Sequence, residues 1–313
     1  MSASRRTART GGPATSEKPS ILVHCANGLQ GRAIVAQLRG AGFPVRAMVR
    51  DVSRTAPLIR AGAEVVSADF DAPDALREAH RGMDAVLMQL PAGDEPASLR
   101  RRGEAALDAI AHENIPTVIF NAGARSPRTA AALPTFDAKR ALEEYVRASG
   151  RRWAVIRPTF LLQNLLLPWV VRGVIEDGAI VYPVRADLEL SWVAAEDVGR
   201  VTALILEREA FGENIDLGAA RLSNGDELAK SFAGALGRPI RFASLPLGQF
   251  EQGVDAALGP GVGRRVSAIF RFIETHPDDL AFVATPYGVS PRLWGFAPMT
   301  IADWVRLNRD AFV

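Results

Sequence analysis

Residues 21–38 read Ile-Leu-Val-His-Cys-Ala-Asn-Gly-Leu-Gln-Gly-Arg-Ala-Ile-Val-Ala-Gln-Leu, and their order decides the fold. The β-branched, apolar run 21–25 predicts a strand, Gly28 and Gly31 a tight turn, and the apolar spacing over 32–38 a helix. Glycine suits such a turn because a backbone without Cβ lets N–H groups approach a phosphate at the positive end of a helix. Two glycines three residues apart are common in turns. Their place between a strand and a helix makes this pair specific.

Working outward, short apolar runs at 45–49, 64–67, 85–89, 117–121 and 153–156 alternate with helical periodicity over 74–79, 99–112 and 138–148. Strands that are apolar on both faces and alternate with helices imply a parallel sheet covered on both sides. With right-handed crossovers the fold class is α/β, a Rossmann-type doubly wound parallel sheet. After Pro158 the pattern loosens into short strands (180–182, 190–193, 214–217, 240–243) and helices (195–207, 226–236, 260–274, 301–309). The predicted organisation is a disordered basic leader over 1–19, an NAD(P)-binding Rossmann domain over 20–157, and a smaller C-terminal α+β substrate-binding lobe over 158–313, partly interwoven with the first domain.

Composition narrows the function classes. A chain of 313 residues with 48% apolar and 23% charged residues is ordinary for a globular protein and excludes wholesale disorder. The formal charge is only +2, and Arg5, Arg6 and Arg9 of that surplus sit in the polar leader, so no nucleic-acid partner is expected. Cys25 is the single cysteine, which excludes an intrachain disulfide and a thiolate cluster, and no metal site is expected. No apolar core follows the basic leader, and the stretch 160–175 is interrupted by Gln163, Asn164, Pro168 and Arg172. The expected location is therefore cytoplasmic, with no membrane partner.

The second strand carries the cofactor discriminator. An acidic residue at its end would hold the 2′-hydroxyl of NAD; here Arg50 stands there, with Arg46 in the same strand and Arg32 at the first helix. Guanidinium matches a 2′-phosphate by bidentate hydrogen bonding, which points to NADP(H), although Asp51 next door leaves an acid in almost the same register. Asp69 and Phe70, after the third strand, are placed to border an adenine.

The run from Val23 to Leu38 resembles the strand, GATGxxG and helix of the NmrA-like family, a branch of the short-chain dehydrogenase/reductase superfamily. The run Val45-Arg46-Ala47-Met48-Val49-Arg50-Asp51 is similar to its second strand, and Phe136-Asp137-Ala138-Lys139-Arg140-Ala141-Leu142-Glu143 to its lysine helix. Further pieces fall in order: Ile156-Arg157-Pro158-Thr159-Phe160 with Asn164, Val193, Glu196-Asp197-Val198, and Gly237-Arg238-Pro239-Ile240. The resemblance covers nearly the whole chain from Ser20.

The resemblance implies a dinucleotide in the glycine cleft, touching Asn27, Gly28, Leu29, Gln30, Gly31, Arg50, Asp69, Phe70, Pro91, Asn121, Ala122, Lys139, Pro158 and Phe160. It implies a small-molecule pocket to which Phe160, Asn164 and Trp192 contribute, and Lys139 as the catalytic residue. The expected activity is NADP(H)-dependent hydride transfer to a quinone, enone, imine or carbonyl. The alternative is a non-catalytic NAD(P) sensor that signals redox state to a protein partner. The expected partners are a small-molecule substrate and, at most, a second copy in a homodimer.

Two departures from the family pattern carry consequences. Cys25 stands where the first glycine is expected, so either it strains the turn, or its thiol is a reactive group activated by the helix N-terminus, or it is a small buried apolar residue. Four residues before Lys139 the superfamily's acid is Tyr; this chain has Thr135, far too weak an acid to protonate a carbonyl oxygen. The bland alternative for Lys139 is a helix-surface pair with Glu143.

Overall fold

A strand buried on both faces sends alternate side chains to opposite layers, and the central sheet sorts its residues this way. The computed structural model describes residues 18–91, 94–127, 133–288 and 290–313, with the side chains of 257 and 258 left aside. Residues 1–17 of the predicted leader lie outside the described residues. The strands are β1 (Ile21–Val23), β2 (Val45–Val49), β3 (Glu64–Ser67), β4 (Ala85–Met88), β5 (Thr117–Asn121), β6 (Arg152–Pro158), β7 (Phe160–Leu161), β8 (Ala179–Tyr182), β9 (Trp192–Val193), β10 (Glu213–Leu217) and β11 (Arg241–Ser244). The helices are α1 (Leu29–Gly40), α2 (Ala56–Arg60), α3 (Pro73–His80), α4 (Pro96–His112), α5 (Pro134–Ala148), α6 (Pro168–Asp177), α7 (Ala195–Glu207), α8 (Gly225–Leu236), α9 (Leu247–Leu258), α10 (Val262–Val266), α11 (Ala268–Thr275) and α12 (Ile301–Leu307).

Seven parallel strands form one sheet in the order β10-β6-β5-β4-β1-β2-β3. The order reverses between β1 and β4, which opens a crevice at their carboxyl ends. Ile21, Val23, Ala85, Leu87, Ile119 and Ile156 pack toward α1 and α7. The intervening Leu22, Val86, Met88, Val118, Phe120 and Val155 pack toward α3, α4 and α5. The two helices α1 and α7 cross closely enough that a Cβ at Gly199 would stand 2.8 Å from Gln37 Cβ.

The 214–217 run, read from sequence as part of the lobe, is β10 of the main sheet, with Leu217 opposite Pro158. The rest of the lobe has its own aromatic core around Phe160, Tyr182, Trp192, Phe232, Phe270 and Trp304. It carries two parallel pairs, β8 with β11 and β7 with β9. Of the predicted strand 190–193 only β9 is a strand, and Leu190 makes a lone antiparallel bridge to Ser223. The predicted helix 260–274 breaks into α10 and α11 at Ser267, whose hydroxyl bonds back to the Arg264 carbonyl at 3.1 Å. Among the described residues no helix is long and apolar enough to cross a membrane.

Candidate active site

The turn after β1 leaves the start of α1 open. Gly28 is its N-cap, no side chain caps it and no acid occupies its first turn, so the leading N–H groups carry positive charge that no acid of that turn offsets. Gly31 has no room for a side chain, because a Cβ there would meet the Cys25 carbonyl and stand 2.7 Å from Ala26 Cα. Cys25 itself adopts φ 48°, the left-handed region that favours glycine, and so bears the strain of the missing first glycine. Its Sγ sits 3.6 Å from the Gln89 carbonyl oxygen, and burial, reinforced by Asp94, pushes the thiol up to about 12. Burial thus disfavours the thiolate that the reactive-thiol alternative needs and favours the reading of Cys25 as a small buried apolar residue.

Farther along the crevice the candidate adenosine end separates free from committed charges. Arg50 is exposed on the cavity wall and makes no hydrogen bond or ion pair among the described residues. Asp51 is taken up by its own turn, accepting from Ser53 N–H at 2.8 Å and from the Ser53 hydroxyl, and the backbone bond holds its carboxyl below the usual range. Arg46 is likewise committed, to Glu64 at 3.0 Å and to the Ala79 and Arg81 carbonyls, while Arg32 donates to Asn27 Oδ1. Asp69 and Phe70 line the cavity beside them. Arg102 grips Asp71 and Asp94, each at 2.6 Å, and so ties the loop after β3 to the loop after β4.

At the other end the cavity wall is made by β5, α5 and the turn after β7. Asn121 donates to Gln89 Oε1 at 3.2 Å and more weakly to Gln30 Oε1 at 3.4 Å, and its own Oδ1 accepts from Gly123 N–H at 3.0 Å. Gln89 donates in turn to the His24 carbonyl at 2.7 Å, so one chain of hydrogen bonds joins the glycine turn to β5. Lys139 is half-buried, with Nζ 5.3 Å from the Phe136 ring centre and close to Gly123. It is not paired with Glu143: that buried carboxylate is held by Arg147 at 2.6 Å and by Arg157 at 2.5 Å. Burial pulls the Lys139 ammonium down to about 8, with the Glu143 charge acting in the opposite direction. Thr135 lines the same cavity one turn before Lys139. None of the three tyrosines does: Tyr145 accepts from Arg100 on the surface, Tyr182 is in the lobe core, and Tyr287 packs on Phe296.

These ends share one cavity of about 1150 Å³, enough for a dinucleotide with a second small molecule. Asn27, Gly28, Leu29, Gln30 and Gly31 line it at the turn, Pro91, Asn121, Ala122 and Lys139 at the strand ends, and Asn164 on the lobe side. Pro158, Phe160 and Trp192 do not. Pro158 ends a strand buried between β5 and β10. The two-residue pairing of β7 with β9 sets Phe160 and Trp192 side by side, ring centres 5.3 Å apart, within the aromatic core with Tyr182. These three are corrected from cleft residues to core residues. Sequence reasoning also missed the wall that α10 and α11 supply, with Arg264, Arg265, Val266 and Ile269, and missed Gln163 and Leu167 beside Asn164. Arg265 reaches across to Glu95 at 3.3 Å and bridges the lobe to the start of α4. Among the described residues no cluster of His, Cys, Asp or Glu is arranged to hold a metal ion.

Comparison with known proteins agrees with this architecture. The chain is 24% identical over 93% of its length to an NAD(P)H azoreductase of Xenophilus azovorans, covering 99% of that protein. It is 30% identical over 76% of its length to a (4-alkanoyl-5-oxo-2,5-dihydrofuran-3-yl)methyl phosphate reductase of Streptomyces griseus, covering 78% of it. In three dimensions it is similar to the triphenylmethane reductase of a Citrobacter species complexed with NADP(H), with a TM-score of 0.72 and 18% identity over 92% of this chain and 99% of that one. The NmrA-like family profile matches residues 17–286, and the chain belongs to that family.

Proposed function

We propose that the protein is an NADP(H)-dependent reductase that delivers hydride to a small organic electrophile. The observation that carries this reading is the pairing, in one cavity, of an uncapped helix N-terminus with Arg50 and with Lys139, neither of which has a carboxylate partner among the described residues. The cradle fits the cofactor: the first turn of α1 faces a pyrophosphate, Arg50 meets a 2′-phosphate, and Asp69 and Phe70 border an adenine. Asn121 and Lys139 then flank the nicotinamide ribose. Bound NADPH supplies the hydride.

The protein's part is position and charge. Lys139 places an ammonium beside the atom that gains negative charge in the acceptor, where a low-dielectric wall magnifies its effect. With Thr135 in place of tyrosine and no tyrosine on the described cavity wall, the acceptor anion takes its proton from water. Quinones and polarised alkenes, whose hydride adducts are stabilised anions, and iminium ions, which become neutral amines and need no proton, suit that arrangement better than simple ketones. Similarity to an azoreductase and a triphenylmethane reductase supports the same class of acceptor.

The test has two arms: titration of NADPH and NADH, then loss of NADPH absorbance with naphthoquinone, an enone and an iminium dye. Tight NADPH binding with turnover of at least one acceptor is expected. Cofactor binding without turnover of any would replace the reductase by a dinucleotide sensor.

A further inference from the structure

The cavity wall carries five cations, Arg50, Arg102, Lys139, Arg264 and Arg265, and three acids, Asp69, Asp94 and Glu95. Two of the cations are spent on protein acids: Arg102 on Asp71 and Asp94, and Arg265 on Glu95. Two more, Arg50 and Lys139, are assigned above to the cofactor. Arg264 is left over. Its guanidinium makes no hydrogen bond or ion pair among the described residues. The acid that feels its charge, Glu251, already binds the Ser267 hydroxyl and Arg271.

Arg264 itself is exposed, and the cavity wall beside it is apolar. Val266, Ala268 and Ile269 follow it along the wall, and Leu133, Phe136 and Leu167 complete that side of the cavity. An unpaired guanidinium at the mouth of an apolar chamber recognises a ligand with a hydrophobic body and an anionic end, because the chamber takes the body out of water while the guanidinium meets the anion in a charge-assisted contact. Glu95 keeps Arg265 from competing for that role, which leaves a single reader.

We infer that the electron acceptor is a flat, apolar molecule bearing a carboxylate or sulfonate, and that Arg264 is the residue that selects the acidic group. This inference rests on the reductase reading, and its test uses binding so that the two can fail separately.

The probes are 2-naphthoate and its neutral isostere 2-naphthamide, titrated against full-length protein saturated with NADP⁺. Wild type is expected to bind the carboxylate about tenfold more tightly than the amide, the ratio set by one charge-assisted contact. Arg264→Gln should erase that preference, Arg264→Lys should restore most of it, and Arg185→Gln, on an exposed pair with Asp187, should leave it unchanged. Equal binding of the two probes to wild type, or binding of neither, overturns the inference. So does a loss of NADP⁺ affinity in Arg264→Gln, which would make Arg264 a phosphate reader for the cofactor. A selective naphthoate site in a protein that turns over no acceptor would keep the anion site and reject the reductase. Turnover of naphthoquinone without naphthoate selectivity would do the reverse.

Discussion

Replacing Lys139 by methionine keeps the unbranched stem and removes the charge, and the structure assigns that charge a cost as well as a use. Burial lowers the ammonium from its ordinary 10.5 to about 8. Taken in full, holding it protonated at pH 7 costs about 3 kcal/mol, and about half of that once its access to water and side-chain relaxation are allowed for. The sign follows from linkage. The unfolded chain binds the proton more tightly than the native one, so the penalty is complete below about pH 8 and fades as pH rises to 10.5. Lys139→Met should therefore be more stable than wild type by roughly 1–2 kcal/mol at pH 7 and equal to it near pH 10.5. Its turnover should fall on the order of 10²-fold, since the positive charge beside the acceptor is gone. Urea denaturation of the cofactor-free proteins at both pH values gives the first quantity, and steady-state NADPH oxidation the second. Equal stability at pH 7 together with unchanged turnover would refute the reasoning, because it would mean that Lys139 is solvated and idle.

Arg50→Ala should weaken NADPH by roughly 1.5–3 kcal/mol and leave NADH nearly unchanged, and titration of both cofactors decides it. Cys25→Gly relieves a left-handed residue, so it should raise the unfolding free energy by about 1 kcal/mol and tighten NADPH slightly, as read by melting and titration. Mild peroxide should leave cofactor binding by the wild type unchanged, because the thiol is pushed up to about 12. His24 and His80 are buried with their Nε2 atoms 3.0 Å apart, and burial holds both below the ordinary 6.5. Stability present above that value is therefore lost as pH falls beneath it, by up to about 1.4 kcal/mol per pH unit for each ring. Asp197, raised by burial to about 6, and Glu196, also raised by burial, act in the opposite direction, so the contribution of the rings is read by difference: His24→Leu/His80→Leu should lose less stability between pH 6.5 and 5 than wild type in acid denaturation.

The doubly wound sheet was legible because its strands must be apolar on both faces and its glycine turn must lie between a strand and a helix; Gly31 shows why, having no space for a methyl group. The separation of Arg50 from Arg46 was not legible. Both sit in one short run, and only the register with β3 commits Arg46 to Glu64 and leaves Arg50 exposed on the cavity wall. Phe160 and Trp192 follow β6, but a two-residue pairing turns them into the lobe core, and two residues carry no periodicity to reveal their side. The wall with Arg264 lies more than a hundred residues from Lys139, within a stretch that reads as one helix. At the break the Ser267 hydroxyl also donates to Glu251, sixteen residues back, a contact that local pattern cannot supply.

The outer strand β10 joins the sheet only after the chain has made α6, β8 and α7, so during synthesis β6 waits with one edge bare while some fifty further residues emerge. An unpaired parallel edge of that kind invites pairing with another chain. The same is true of α1, whose apolar face waits for α7. A nascent chain halted near residue 158 thus presents both surfaces at once to a chaperone or to a neighbouring ribosome's product. Cutting the gene at the apparent end of the dinucleotide-binding half would make that vulnerable state permanent. Extending the fragment through Leu217 would close the edge and the helix face together.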